Sequence, residues 1–249
     1  MADSADLGRS PVGAPDRWLR GAAPGLRVAA AAAAPPGTPL RDRLPEITLG
    51  VRSWSAAQAA AREPRLDGFV AHWIWTSSRG LVPADMLPKL EARLFALARR
   101  ERLLLAEQRA IRSALAVRGI ASLPYRGPSL AGRLYEPSFL RYSRDLDILV
   151  PPERVDEAIR SLEADYEAIR EHAEGGSEDE TEHHQLIHHR ESGVLVEVHG
   201  SLAPARWGLA TDALVGPPGT WPPADAGPED GWSLPRLLPV VAAHGVRHG

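Results

Sequence analysis

The amino-acid sequence predicts an α/β or α+β chain: a β-sheet domain packed with helices and preceded by a helical region. Three observations predict it. Asp145-Leu146-Asp147-Ile148-Leu149-Val150 is aliphatic at alternate positions and stops at Pro151-Pro152, which reads as a strand. Val194 to His199 has the same strand character. Between them Val155, Ile159, Leu162 and Tyr166 recur at helical spacing, and a strand, a helix and a second strand in that order favour a sheet domain.

Composition bounds the possibilities. A chain of 249 residues can bury a full core, as one large domain or two small ones. A net charge of −3 gives no general attraction for nucleic acid, so nucleotide binding needs a local arginine patch. The absence of cysteine excludes disulfides and thiolate metal sites and leaves oxygen and imidazole as the metal donors. Lys89 is the only lysine; with so much Ala, Gly and Pro, this reflects GC-biased coding more than a device. The alanine tract from Val28 to Pro36 is too short and too weakly apolar to span a bilayer. Asp3, Asp6 and Asp16 ahead of it argue against a signal peptide, so a soluble, cytoplasmic protein with no membrane contact is expected.

The chain divides into four expected parts. Residues 1–45 are Ala, Pro and Gly-rich with few large apolar side chains and are expected to form a flexible tail. Residues 46–119 form a helical N-terminal region. Within it Ser53 or Ser55 caps a short helix through Arg62, and Phe69, Val70, Trp73, Ile74 and Trp75 read as core packing rather than a ligand platform. From Pro83 to Arg118 the leucines and Ile111 repeat at helical spacing, and Gly119 suits a left-handed cap. Arginines there interleave with Glu91, Glu101 and Glu107, a solvated face.

Residues 120–202 are the expected sheet core. Ile120 to Leu123 is a candidate strand, and Arg126-Gly127-Pro128-Ser129 follows it. A glycine there lets backbone amides approach an anion, with Ser129 capping the next helix; ordinary turn chemistry accounts for Gly127-Pro128 equally well. A helix is expected from Pro152 to Tyr166. Glu171 to Glu182 reads as a mobile acidic loop. His183, His184, His188 and His189 fall in an extended segment, where hydrogen-bonding roles are favoured over a zinc site. Residues 203–249 are a Pro/Gly-rich connection with Trp207, Trp221 and Trp232, then a helix from Leu234 to Val246. That helix has no partner after it, so an oligomer contact or partner protein is expected there.

The acids carry the chemistry. Strand alternation places Asp145 and Asp147 on one face, opposite Leu146, Ile148 and Val150. Two carboxylates this close repel, and a strand that carries them usually holds a cation. On the second strand Glu197 shares a face with His199 and supplies a third acid. Three other readings stand beside this one: a regulatory nucleotide-binding module, a glycosyltransferase, and plain pairing of the two aspartates with Arg141 and Arg144. Because the acids repel, deleting one of them is expected to leave the ion-free melting temperature nearly unchanged.

Arg118-Gly119-Ile120, Tyr125-Arg126-Gly127-Pro128-Ser129-Leu130-Ala131, Leu134-Tyr135, Arg141, Asp145 to Val150 and Val196-Glu197-Val198-His199 together resemble the uncharacterised bacterial nucleotidyltransferase family. Its members are similar to the polymerase β-like superfamily, and some are encoded near lasso-peptide biosynthesis genes. The resemblance implies an α+β fold with a small mixed β-sheet core, and an enzyme that transfers a nucleoside monophosphate from an NTP such as ATP, releasing pyrophosphate, with Mg2+ or Mn2+ as cofactor. It implies that Asp145, Asp147 and Glu197 are the catalytic metal ligands, with Glu197 nearest the attacking oxygen. Gly127 and Ser129 would line the phosphates, and Arg126, Arg141 and Arg144 would neutralise them. The implied partners are the NTP and a small-molecule, peptide or protein acceptor. Two departures mark this chain: Arg126 stands where the family usually has lysine, and Pro128 displaces the serine that usually follows the glycine.

Overall fold

A computed structural model of the chain describes residues 22–34, 37–62, 65–169, 184–202 and 210–223. The acidic segment Glu171 to Glu182, His183, Trp207, Trp232 and the C-terminal helix expected from Leu234 lie outside the described residues. The chain divides into two compact units, one through Leu94 and one from Phe95.

The first unit is helical. Its helices are α1 (Pro24–Ala33), α2 (Pro39–Asp42), α3 (Leu44–Leu49), α4 (Trp54–Arg62) and α5 (Asp67–Ser77). Of the tail expected through residue 45, Pro24–Ala33 and Pro39–Asp42 are helical. Alanine loses no side-chain entropy in a helix, and its small surface lets α1 nest against α3, α4 and α5 with Val28, Ala29, Ala31 and Ala32 buried. Ser53 caps α4 as expected, accepting from the Ala56 amide at 3.3 Å. The aromatic cluster is core: Phe69, Val70, Trp73 and Ile74 are buried on α5, and Arg79 stacks over the Trp75 ring at 4.0 Å.

The long helix α6 (Leu87–Val117) crosses the boundary between the units. The division falls inside it, and its later residues Leu104, Ile111 and Leu115 belong to the sheet's own apolar cluster. Its end is the expected one. Gly119 takes φ 65°, the Gly119 amide donates to Ala116 O and the Ile120 amide to Leu115 O, which closes the last turn.

The second unit is α+β, as predicted, and is built on a five-stranded mixed sheet. Its strands are β1 (Leu123–Pro124), β2 (Asp145–Leu149), β3 (Tyr166–Ala168), β4 (His184–His189) and β5 (Leu195–His199), in the order β1-β2-β5-β4-β3. Only β2 and β5 run parallel; the other pairs are antiparallel. Leu146, Ile148, Val150, Val196 and Val198 point into one apolar cluster with α6 and with α8 (Val155–Leu162). Each such fully buried side chain contributes roughly 1.5–3 kcal/mol. The opposite face carries Leu149, which packs with Leu123, Tyr125, Leu130 and Val215. Here lie the short α7 (Pro128–Leu134) and α9 (Thr211–Val215).

Two local expectations are corrected. The helix after Pro152 stops at Leu162, and Tyr166, expected on its apolar face, instead opens β3 opposite His189. Its ring reaches the same core, and its hydroxyl donates to Glu107 at 2.7 Å. Sheet pairing with a distant strand outweighs a periodicity that one more helical turn would also have satisfied. Ser129 does not cap α7; Gly127 holds that position, and the buried Ser129 hydroxyl donates to Gln108 Oε1 at 2.8 Å. Among the described residues no helix is long and apolar enough to cross a membrane.

Candidate functional site

The parallel register of β2 and β5 sets Asp147 directly opposite Glu197, Asp145 opposite Leu195 and Leu149 opposite His199. Register partners point to the same side of a sheet, and side chains alternate along each strand. Burial of Leu146, Ile148, Val196 and Val198 on one face therefore sends Asp145, Asp147, Glu197 and His199 to the other. The hydrophobic pattern fixes the register and, with it, which acids face each other.

The three groups nearest one another are Asp147, Glu197 and His199, each with a ligand atom within 4.8 Å of the others. His199 Nε2 lies 3.3 Å from Asp147 Oδ1 and 3.2 Å from Glu197 Oε2. Asp147 and His199 are buried, while Glu197 retains 27% of its side-chain exposure. Asp145 stands one register pair further along the same face, partly exposed, outside this tight trio. Sequence reading placed His199 beside Glu197 without giving it a role. The signal was its spacing of two along a strand from an acid.

β1 delivers a fourth group. Leu123 and Pro124 pair with Leu149 and Ile148, and the Tyr125 amide donates to Asp147 O at 3.3 Å. The next residue, Arg126, reaches Asp147 Oδ1 at 2.6 Å and lies 3.9 Å from Glu197 Oε2. It also donates to the Tyr125 hydroxyl at 3.0 Å. Nothing in the sequence signalled that Arg126 would sit on the acids.

Gly127 then turns the chain with φ 62° and ψ −136°. A Cβ there would stand 3.1 Å from Asp145 O, so both the dihedral and the close approach call for glycine. Arg141 donates weakly to Ser143 Oγ at 3.5 Å and, with Arg100, Phe139, Tyr142 and Ser143, lines a cleft that reaches Pro128. Arg144 is exposed, and its carbonyl accepts from Arg100. Arg126 thus meets the acids, whereas Arg141 belongs to the neighbouring cleft.

Charge is balanced within the group. Burial disfavours the charge on His199, but its close contacts with the Asp147 and Glu197 carboxylates outweigh that cost and raise its pKa. Burial likewise works against Arg126, and Tyr125, Asp147 and Glu197 more than restore its charge. Burial, and after it the Asp147 charge, push the Tyr125 phenol up. His189 plays a structural part: its Nδ1 accepts from the amides of Glu191 and Ser192 at 3.2 and 3.1 Å.

A model of a family described as "Uncharacterised nucleotidyltransferase" matches residues 51–248. The chain belongs to that family. No curated protein and no solved structure matches it. Membership in the uncharacterised nucleotidyltransferases makes the protein a transferase with a nucleotide as substrate. The matched span takes in both acid-bearing strands and the Gly127 turn between α6 and β2.

Proposed function

We propose that this nucleotidyltransferase is metal-dependent and moves a nucleoside monophosphate from an NTP to an acceptor hydroxyl on a small molecule, peptide or protein. The observation that carries this reading is the direct cross-strand pairing of Asp147 with Glu197 beside the Gly127 turn. Asp145, Asp147 and Glu197 are the proposed ligands of Mg2+ or Mn2+. Asp147 and Glu197 fit a cation: their carboxylate oxygens converge from two strands, and the Arg126 guanidinium already lies against them, while Asp145 stands further along the same face. Such a cation, when bound, supplies Lewis acidity to the attacking oxygen and to the departing pyrophosphate.

The chain's own groups do the rest. Glu197, the more exposed acid of the trio, accepts the proton of the acceptor hydroxyl as its oxygen forms the new bond to the α-phosphorus. The bond to the bridging oxygen breaks and pyrophosphate leaves. Arg126, Arg141 and Arg144 offset the triphosphate charge. Gly127 admits phosphate close to the backbone, and Ser129 contributes there through its main chain because its hydroxyl is bonded to Gln108. The proposed compartment is the cytoplasm, in keeping with the NTP donor and a cysteine-free sequence.

Incubation with α-phosphate-labelled ATP, GTP, CTP or UTP, Mg2+ or Mn2+, and a pool of small-molecule, peptide and protein acceptors tests the reading. Label transfer with pyrophosphate release, lost in Asp147→Asn and Glu197→Gln, is expected. One observation favours a second reading, a nucleotide-binding module without turnover: Arg126 is seated on Asp147 at 2.6 Å. Nucleotide-dependent thermal stabilisation with no pyrophosphate from any NTP decides for that module.

A further inference from the structure

We propose that His199 is itself a metal ligand, and that Asp147, Glu197 and His199 form a mixed carboxylate and imidazole site selective for first-row transition-metal dications over Mg2+. The proposal rests on the metal-dependent reading for its two carboxylates and adds the nitrogen donor and the class of ion.

Geometry is the first support. An ion with ligands at about 2.1 Å places neighbouring donors about 3.0–3.4 Å apart, for octahedral or tetrahedral angles. His199 Nε2 stands 3.3 Å from Asp147 Oδ1 and 3.2 Å from Glu197 Oε2, so two edges of such a polyhedron are already formed. All three donors lie within 4.8 Å of one another, and side-chain rotation alone brings in the third edge.

The second support is how the ring is held. His199 is buried, its backbone is fixed in β5, and the Tyr125 ring meets it edge-on with centroids 5.2 Å apart and planes at 82°. A ring locked in this way loses little freedom on taking up an ion. Its Nε2 is directed at the two carboxylates, not at solvent.

Chemistry then selects the ion. Mg2+ is hard, sheds its waters reluctantly and prefers oxygen, whereas imidazole suits the later first-row dications, whose affinity for such sites rises from Mn2+ through Co2+. A donor set of carboxylates alone discriminates little between Mg2+ and Mn2+; adding an imidazole favours the latter. Arg126 approaches the same Asp147 oxygen from the turn after β1, so entry of a dication and the Arg126 pair compete for that atom.

The test is Mn2+ and Mg2+ binding to the full chain without nucleotide, read by Mn2+ EPR, by pulsed EPR for coupling to a directly bound nitrogen, and by calorimetry. The expected result is nitrogen coupling in the wild type and Mn2+ binding at least about ten-fold tighter than Mg2+. His199→Asn is expected to abolish the coupling and to weaken Mn2+ roughly ten-fold or more while moving Mg2+ far less. If that variant fails to fold, Asp147→Asn serves: Mn2+ affinity and nitrogen coupling both unchanged in it place the ion away from the trio and overturn the proposal. Equal affinities with no nitrogen coupling overturn the inference and leave the metal-dependent transferase standing. No binding of either ion overturns both.

Discussion

Asp147 and Arg126 form an ion pair at 2.6 Å in which the carboxylate side chain is 6% exposed and the guanidinium 16%. That relationship bears on the expectation that removing one of two mutually repelling aspartates leaves stability unchanged, because Asp147 has a cationic partner of its own. Removing one partner of a buried pair leaves the other charge uncompensated, at a cost of about 3 kcal/mol. Asp147→Ala is therefore expected to lower the melting temperature of the ion-free protein by several degrees. An unchanged melting temperature in scanning calorimetry shows the pair to be energetically idle.

Gly127 combines φ 62° with a Cβ position 3.1 Å from Asp145 O. Gly127→Ala is expected to cost about 1–2 kcal/mol from the left-handed backbone alone and to shift β2 against the turn. Nucleotide affinity falls with it. Thermal denaturation and nucleotide titration of the variant measure the two effects, and wild-type values in both refute the role given to the turn.

The bond between the Ser129 hydroxyl and Gln108 Oε1, 2.8 Å long and buried, ties α7 to α6 behind the turn. Either single truncation leaves a buried polar group unmatched, so Ser129→Ala and Gln108→Leu are each expected to cost roughly 1–3 kcal/mol. Together they are expected to cost less than their sum, with a coupling of at least about 0.5 kcal/mol. Additive losses in a double-mutant cycle rule out the direct bond.

Tyr166 gives the protein an alkaline limit. Burial first, and then the hydrogen bond to Glu107 and its charge, push the phenol above its ordinary value. The unfolded chain releases the Tyr166 proton near pH 10 and the folded one does not, so the unfolded state binds fewer protons there. Stability is then full below about pH 10 and falls as pH rises further, by up to about 1.4 kcal/mol for each pH unit. Denaturant titrations between pH 9 and 11.5 are expected to show this slope in wild type and a shallower one in Tyr166→Phe. Equal slopes remove Tyr166 from the account.

Much of the fold was legible where local patterns and tertiary demands agree. The alternation in Asp145 to Val150 and in Val194 to His199 fixed both central strands and the faces they show, because one face of each had to be apolar. The long helix and its glycine end were legible for the same reason. Tyr166 was misread because a strand start and one more helical turn place an aromatic ring equally well, and only pairing with His189 separates them. The helical stretch from Pro24 was misread because alanine buries so little area that its packing leaves almost no trace in composition.

By itself the sequence determined the kinds of group available to the site: hard oxygen donors at Asp145, Asp147 and Glu197, no thiol, arginine near the glycine turn. It also determined which side of each strand they occupy, since alternation is a property of the extended backbone. Only the tertiary structure decided who meets whom. Parallel pairing of β2 with β5 put Asp147 against Glu197, brought His199 to both, and let the short β1 carry Arg126 onto the acids. The physical reason is that register between strands whose partners lie fifty positions apart is set by the shared apolar core on the far side of the sheet, a sum over many residues that no local spacing records.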